Sequence, residues 1–293
     1  MKNNNERINQ ALKSIDDSLQ AINTNKDWID YLKFQSKFYN YSAQNTILIM
    51  SQFPEASYVA GYTKWQKLNR YVKKGEKGIQ ILAPIIKKKE SIKEPSNPNE
   101  YHDSEAEIET KNVLVGYRIV YVYDLLQTEG ADEFIPTLVS GLKELNSDNK
   151  KLYQQLFNIF SKEFSINEVS DTSAKGSYNL ISKEIAIRSD LSSTQKIKTL
   201  IHEIVHAYDF KMHPDENISR SKREIIAEST AYIIALNIGI DTASYSIPYL
   251  KSWLKTKDDI KNVADTIQKL SNVIINKIAG SLDSAFLDLK EDE

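Results

Sequence analysis

The chain has 293 residues, a formal net charge of −2, 41% hydrophobic and 27% charged residues, no cysteine and four histidines. That length fits two domains of ordinary size, and that hydrophobic content excludes a chain disordered throughout. The lack of cysteine excludes disulfides, iron–sulfur clusters, cysteine zinc fingers and thiol nucleophiles, so a transition-metal site must draw on histidine and carboxylate.

In chain order, Ile8, Leu12, Ile15, Leu19 and Ile22 recur at spacings of three and four, which predicts an amphipathic helix over 6–23. A second helix is expected over 26–40, with Trp28, Tyr31, Leu32 and Phe38 on an aromatic face. Ser42 is the expected N-cap of a short helix that runs to Gln52 and stops before Pro54. A further helix fits 62–69. Lys74-Gly75-Glu76-Lys77-Gly78 reads as a turn leading into a strand at 79–86. Residues 87–111, with Pro95, Pro98 and a cluster of acids, read as a flexible acidic insertion. Alternating Val113, Val115, Tyr117, Ile119, Tyr121 and Tyr123 predict the returning strand. Residues 1–128 are thus the expected first domain, and 129–147 the linker.

The second domain, 148–293, opens with a helix over about 148–164 and a hairpin over 176–187 that turns at Ser182-Lys183. Ser192, with Gln195 three residues on, is a capping-box signature. The helix it starts carries Ile197, Leu200, Ile201, Ile204, Val205 and Tyr208 on one stripe. Further helices are expected over 221–238, ending at Gly239, over 246–256 and over 258–281. The start of the chain is polar and no apolar run of about 18 residues occurs, so the expected setting is the cytoplasm, with no membrane partner.

His202-Glu203-Ile204-Val205-His206 lies inside the capped helix. A spacing of four puts both imidazoles on one face, one turn apart, where both can reach one zinc ion. Glu203 then lies beside the metal as the catalytic base for a bound water. The metzincin continuation fails, because Asp209 stands at its glycine and Met212 at its third histidine. A gluzincin-like site takes its third ligand from a second helix, and 221–238 offers Glu224 and Glu228. Glu224 is the expected ligand and Glu228 the residue behind it, with the reverse order left open. Such a site would hold one zinc per chain and act as a zinc-dependent metallopeptidase. Tyr178, Tyr245 and Tyr249 are the candidates for stabilising an oxyanion. His213 and His102 read as surface residues.

The net charge hides an asymmetry. Lys64, Lys67, Arg70, Lys73, Lys74, Lys77, Lys87, Lys88 and Lys89 face only Glu76 within 64–89, whereas 90–109 is rich in Glu and Asp. Tyr58, Tyr62, Trp65 and Tyr71 interleave with the basic run, and cations with stacking rings are the ingredients of single-stranded nucleic-acid binding.

The stretch Tyr41-Ser42-Ala43-Gln44-Asn45, with Gln52-Phe53-Pro54 and Ala60-Gly61-Tyr62, resembles the N-terminal domain of ArdC-type antirestriction proteins. Trp65, the Lys73–Gly78 turn, Ile81-Leu82-Ala83-Pro84, Val122-Tyr123-Asp124 and Gln127-Thr128 continue the likeness. The C-terminal half resembles the accompanying zincin-like metallopeptidase domain, related to ImmA/IrrE-type peptidases, through Leu200–Ala207, Glu224, Glu228, Tyr249 and Trp253. The acidic insertion departs from the family's pattern. The resemblance implies an antirestriction protein of a mobile element, acting during plasmid conjugation and binding single-stranded DNA. Tyr41 and Asn45 would then join Tyr62, Trp65, Arg70, Tyr71, Lys73, Lys74 and Lys77 as DNA-binding residues. The alternative is a site-specific zinc metallopeptidase with a regulatory or DNA-bound protein as substrate, the N-terminal domain serving for targeting. The expected fold is α+β in two domains: a helical cluster on a small antiparallel sheet, then a zincin.

Overall fold

The computed structural model describes residues 2–92, 108–130, 148–170, 172–214, 217–240 and 257–291. The expected linker, the helix over 246–256, His102, Tyr245, Tyr249 and Trp253 lie outside the described residues, as does the middle of the acidic insertion. The architecture is α+β, with short sheets set among helices.

The first helices are α1 (Lys2–Ala21), α2 (Asn25–Lys37) and α3 (Ala43–Gln52). On α1 the buried stripe is Ala11, Ile15 and Leu19, while Leu12 is left 38% exposed. A complete capping box, Thr24 with Asp27, starts α2, and Ser42 caps α3 by accepting from Asn45 N. Then follow β1 (Val59–Ala60), α4 (Tyr62–Lys67), β2 (Arg70–Val72), β3 (Ile79–Ile92), β4 (Ile108–Asp124), a 3-10 turn at 125–127 and β5 (Thr128–Gly130). The strands form an antiparallel β1-β4-β3 sheet and a separate β2-β5 pair. Both long strands run further into 87–111 than the composition suggests: 87–92 pairs with 108–113, beyond a register shift at Ile85/Ile86. Backbone pairing there needs no core, so apolar patterning does not reveal it. Gly75, at φ +94°, supplies the left-handed position of the Lys73–Gly78 turn.

The C-terminal half comprises α5 (Asn149–Ser161), β6 (Ser165–Val169), β7 (Gly176–Tyr178), β8 (Glu184–Arg188), α6 (Ser193–Met212), α7 (Arg220–Asn237) and α8 (Lys257–Glu291). Its sheet has the order β6-β8-β7, with β6 parallel to β8 and β7 antiparallel at the edge. The predicted hairpin is β7-β8, opened by a longer loop in which Lys183 has φ 57°. The Ser192/Gln195 capping box forms at the head of α6, and Gly239 takes φ 79° after α7.

One large core joins residues of both halves. It runs from Ile15, Trp28 and Leu48 through Leu156, Ile185 and Ile204 to Ile233 and Ile275. A smaller core, with Phe34, Phe38, Ile49, Ile79 and Val122, fills the space between α2, α3 and the β3-β4 sheet. At the junction Trp28 Nε1 donates to Ser229 Oγ at 3.0 Å, both residues being buried. Asn237 Nδ2 donates to Ser36 O, again across from α7 to α2.

Glu163, just after α5, ties helices together by accepting from Tyr208 Oη at 2.7 Å, from Lys211 at 2.6 Å and from Lys277 of α8. Burial alone would raise its pKa, but these donors outweigh burial and hold it at about 2, against an ordinary 4.5. Because the folded value is depressed, this stabilisation is present above the unfolded pKa near 4.5 and is lost as pH falls through about 2. Glu163→Gln should lower unfolding stability at pH 7 by about 2 kcal/mol, after discounting partial exposure. Urea titrations at pH 7 and pH 3 check it: the gap between wild type and variant should narrow at pH 3.

Candidate metal centre and nucleic-acid surface

The candidate centre is built where α6 crosses α7. The i,i+4 spacing on α6 places His202 and His206 with their Nε2 atoms 3.1 Å apart. From α7, Glu224 brings one oxygen to 3.5 Å from His202 Nε2 and the other to 3.8 Å from His206 Nε2. These donor atoms lie within 4.8 Å of one another. With metal–ligand bonds of about 2.0–2.1 Å, tetrahedral ligands sit roughly 3.3–3.4 Å apart, so the spacing suits one ion. Glu228, one turn further along α7, faces the other ring nitrogen, His202 Nδ1, at 3.5 Å, and its second oxygen meets Lys198 at 3.5 Å. His202 Nδ1 is buried and makes no hydrogen bond. The two carboxylates therefore address different atoms of the same imidazole.

The charges fit a cation. Burial depresses the pKa of His202, but Glu224, Glu203 and Glu228 around it more than reverse this, so the net shift is upward. The imidazoles of His202 and His206 facing its two oxygens hold Glu224 far below the usual carboxylate range. Burial pushes Glu203 up. Glu203 is 7% exposed and packs under the start of β7. A Cβ on Gly176 would lie 2.4 Å from Thr199 Cγ2 and 3.1 Å from Glu203 Oε1, so only glycine lets the edge strand approach this closely.

Three features of the centre escape sequence reasoning. Asp209, buried, pairs with Arg223 Nη1 at 2.5 Å and with His213 Nδ1 at 3.0 Å. His213, expected at the surface, is instead pinned at the end of α6, and Arg223 stacks 4.0 Å over Phe210. The Asp209–Arg223 pair binds the two ligand-bearing helices together; its only signal is that Asp209 follows His206 by three and Arg223 precedes Glu224. Lys198 is the third, one turn before His202. The cleft over the centre is lined by Gly176, Ser177, Tyr178, Leu180, Phe210 and Arg220, besides the centre's own residues. Tyr178 thus lies in the cleft.

The residues expected at DNA divide sharply. Tyr62 and Tyr71 are 51% and 53% exposed, and Lys73, Lys74 and Lys77 are exposed around the Gly75 turn. That turn is held from below: Gln127 Nε2 donates to Glu76 and to Lys77 O, and Lys73 Nζ donates to Leu126 O. Trp65, by contrast, is fully buried, with Nε1 donating to Tyr123 O and an edge contact to Tyr58. Arg70 is 5% exposed and spent on Thr128 and Gly130. Asn45 bonds both backbone groups of Leu82, locking α3 to β3. Tyr41 donates to Val59 O, and burial, with Tyr58 adding to it, pushes its hydroxyl up to about 12. Trp65, Arg70, Asn45 and Tyr41 are therefore framework of the domain; motif and composition do not separate a buried ring or guanidinium from a presented one.

Fold and site together define an α+β protein that sets an H-E-x-x-H helix against a carboxylate-bearing helix. Residues 2–123 match the family described as the N-terminal domain of anti-restriction factor ArdC. The N-terminal part of the chain is accordingly an ArdC-type domain. An uncharacterized protein of Bacillus anthracis, pXO2-81, is 24% identical over 317 residues, covering 94% of this chain and 53% of the relative. The chain thus spans about half the length of that relative. Among solved structures, the metal-free antirestriction protein ArdC from plasmid R388 is similar at TM-score 0.48 and 19% identity, over 82% of this chain and 86% of that one. Its Mn(II)-bound structure is similar at TM-score 0.48 and 16% identity, over 86% and 97%. Among the described residues no helix is long and apolar enough to cross a membrane.

Proposed function

We propose that the chain is an antirestriction protein of a mobile element that binds single-stranded DNA through its N-terminal part and carries a zinc peptidase centre in its C-terminal part. The observation that carries this reading is the ArdC-type domain over residues 2–123, with exposed tyrosines and lysines on one part of its surface. Tyr62 and Tyr71 are the stacking rings, and Lys73, Lys74 and Lys77 the phosphate contacts. Replacing the three lysines by glutamine should weaken binding to a single-stranded oligonucleotide and flatten the slope of log K against log salt by about 0.7 for each phosphate no longer neutralised. Fluorescence anisotropy across a salt series measures both, and an unchanged slope would return the turn to a purely structural role.

At the centre, His202, His206 and Glu224 would hold a zinc ion, and Glu228, facing Nδ1, would orient His202. Bound zinc would polarise a scissile carbonyl and acidify a water. Glu203, beside the site, would hold a proton taken from such a water and pass it to the leaving amine. The edge strand β7, running beside Glu203, gives an extended peptide a backbone to pair with. That strand favours the second reading, a site-specific metallopeptidase targeted by its N-terminal domain. A Glu203→Gln protein separates the two: protection of incoming DNA from restriction should survive under the first reading and vanish under the second.

A further inference from the structure

Beside the metal cleft lies a second cavity of about 570 Å³, within the roughly 300–1,000 Å³ typical of ligand sites. The two share the walls Tyr178, Leu180, Phe210 and Pro214. Phe164 and Ala207 complete an apolar lining, and Tyr178 lies against Phe210 at 6.2 Å between ring centroids. The loop overhanging this cavity leaves apolar side chains in water: Leu180 is 52% and Ile181 95% exposed. Among the described residues the rim is cationic. Lys183 and Lys211 border the cavity, Lys277 lies behind, and the carboxylate among them, Glu163, is already engaged by Lys211, Lys277 and Tyr208. Lys183 is exposed and has no acidic partner among the described residues.

We propose that this cavity is a specificity pocket for a peptide that presents a large apolar side chain next to an acidic one. The inference rests on the peptidase reading of the adjoining centre. Apolar walls take the side chain out of water, and the lysine rim meets the neighbouring carboxylate, favouring acidic over basic partners. A basic peptide would bring like charge to Lys183 and Lys211, so discrimination comes from repulsion as much as attraction.

The test uses the full-length, zinc-loaded protein and three internally quenched peptides of one length. One centres on Phe-Glu, one on Phe-Lys and one on Ser-Glu. Cleavage is read as kcat/KM, and binding is read by anisotropy on Glu203→Gln protein, so that recognition is measured apart from turnover. The Phe-Glu peptide should win by at least about five-fold in binding over each of the others, the sum of a few surface-scale terms. Lys183→Glu should remove its advantage over Phe-Lys, and Leu180→Ser its advantage over Ser-Glu; both side chains are exposed, so neither change threatens the fold. Preferential binding without cleavage upholds the pocket and overturns the peptidase reading. Cleavage of all three peptides at one rate overturns the pocket and upholds the peptidase. Neither binding nor cleavage overturns both.

Discussion

Replacing His202 and His206 together by alanine should abolish the binding of a divalent metal ion, with affinity falling by at least about 1,000-fold. Two of the three converging donors come from one helical turn, their Nε2 atoms 3.1 Å apart, so the double variant leaves Glu224 alone. If roughly 10–16 kcal/mol of zinc binding is shared among three or four ligands, each is worth several kcal/mol. Metal content after dialysis, by elemental mass spectrometry, should drop from one zinc per chain to none; a double variant that keeps its zinc overturns the site. The same measurement orders the carboxylates. Glu224→Ala removes a donor facing both Nε2 atoms, whereas Glu228→Gln disturbs only the partner of His202 Nδ1 and should cost about 10–100-fold. Equal losses would leave the reverse assignment standing.

Trp28→Ala should be the most damaging single change to stability, at about 3–5 kcal/mol. The indole is wholly buried where α2 meets α7, lies 5.3 Å from Tyr31 between ring centroids, and donates to Ser229 Oγ. Truncation opens a cavity and strands a buried hydroxyl, and the two losses add. Because this core is common to both halves, the variant should lower a single denaturant transition rather than split it. Chemical denaturation followed by tryptophan fluorescence and by far-ultraviolet circular dichroism measures this. Two separated transitions in wild type would show instead that the halves fold as independent units.

Much of the local structure is readable from residues. Ser42 and Ser192 cap helices where their chemistry says they should, and the H-E-x-x-H spacing by itself puts two nitrogen donors on one helical face. What sequence hides is side-chain destination. Trp65 and Arg70 have the chemistry of DNA contacts and the burial of core, because tertiary packing, not residue type, decides which face a short helix or strand turns inward. The parallel strand β6 has one buried residue and so no alternation to read. Gly176 has the sequence setting of an ordinary turn glycine, and only the packing of Glu203 and Thr199 against it gives it a role. The Asp209–Arg223 pair joins residues fourteen apart on different helices, a separation that no helical periodicity reports.

Helix α7 gives one face to the centre, through Glu224 and Glu228, and the next residue, Ser229, to Trp28 of the ArdC-type domain. The two halves therefore share a mechanical element, and linkage makes any communication through it reciprocal. If zinc occupancy tightens the seating of α7 on α2 and thereby changes DNA affinity by some factor, DNA must change zinc affinity by that same factor. A metal titration with and without a saturating oligonucleotide, read beside the converse experiment, would close that thermodynamic cycle.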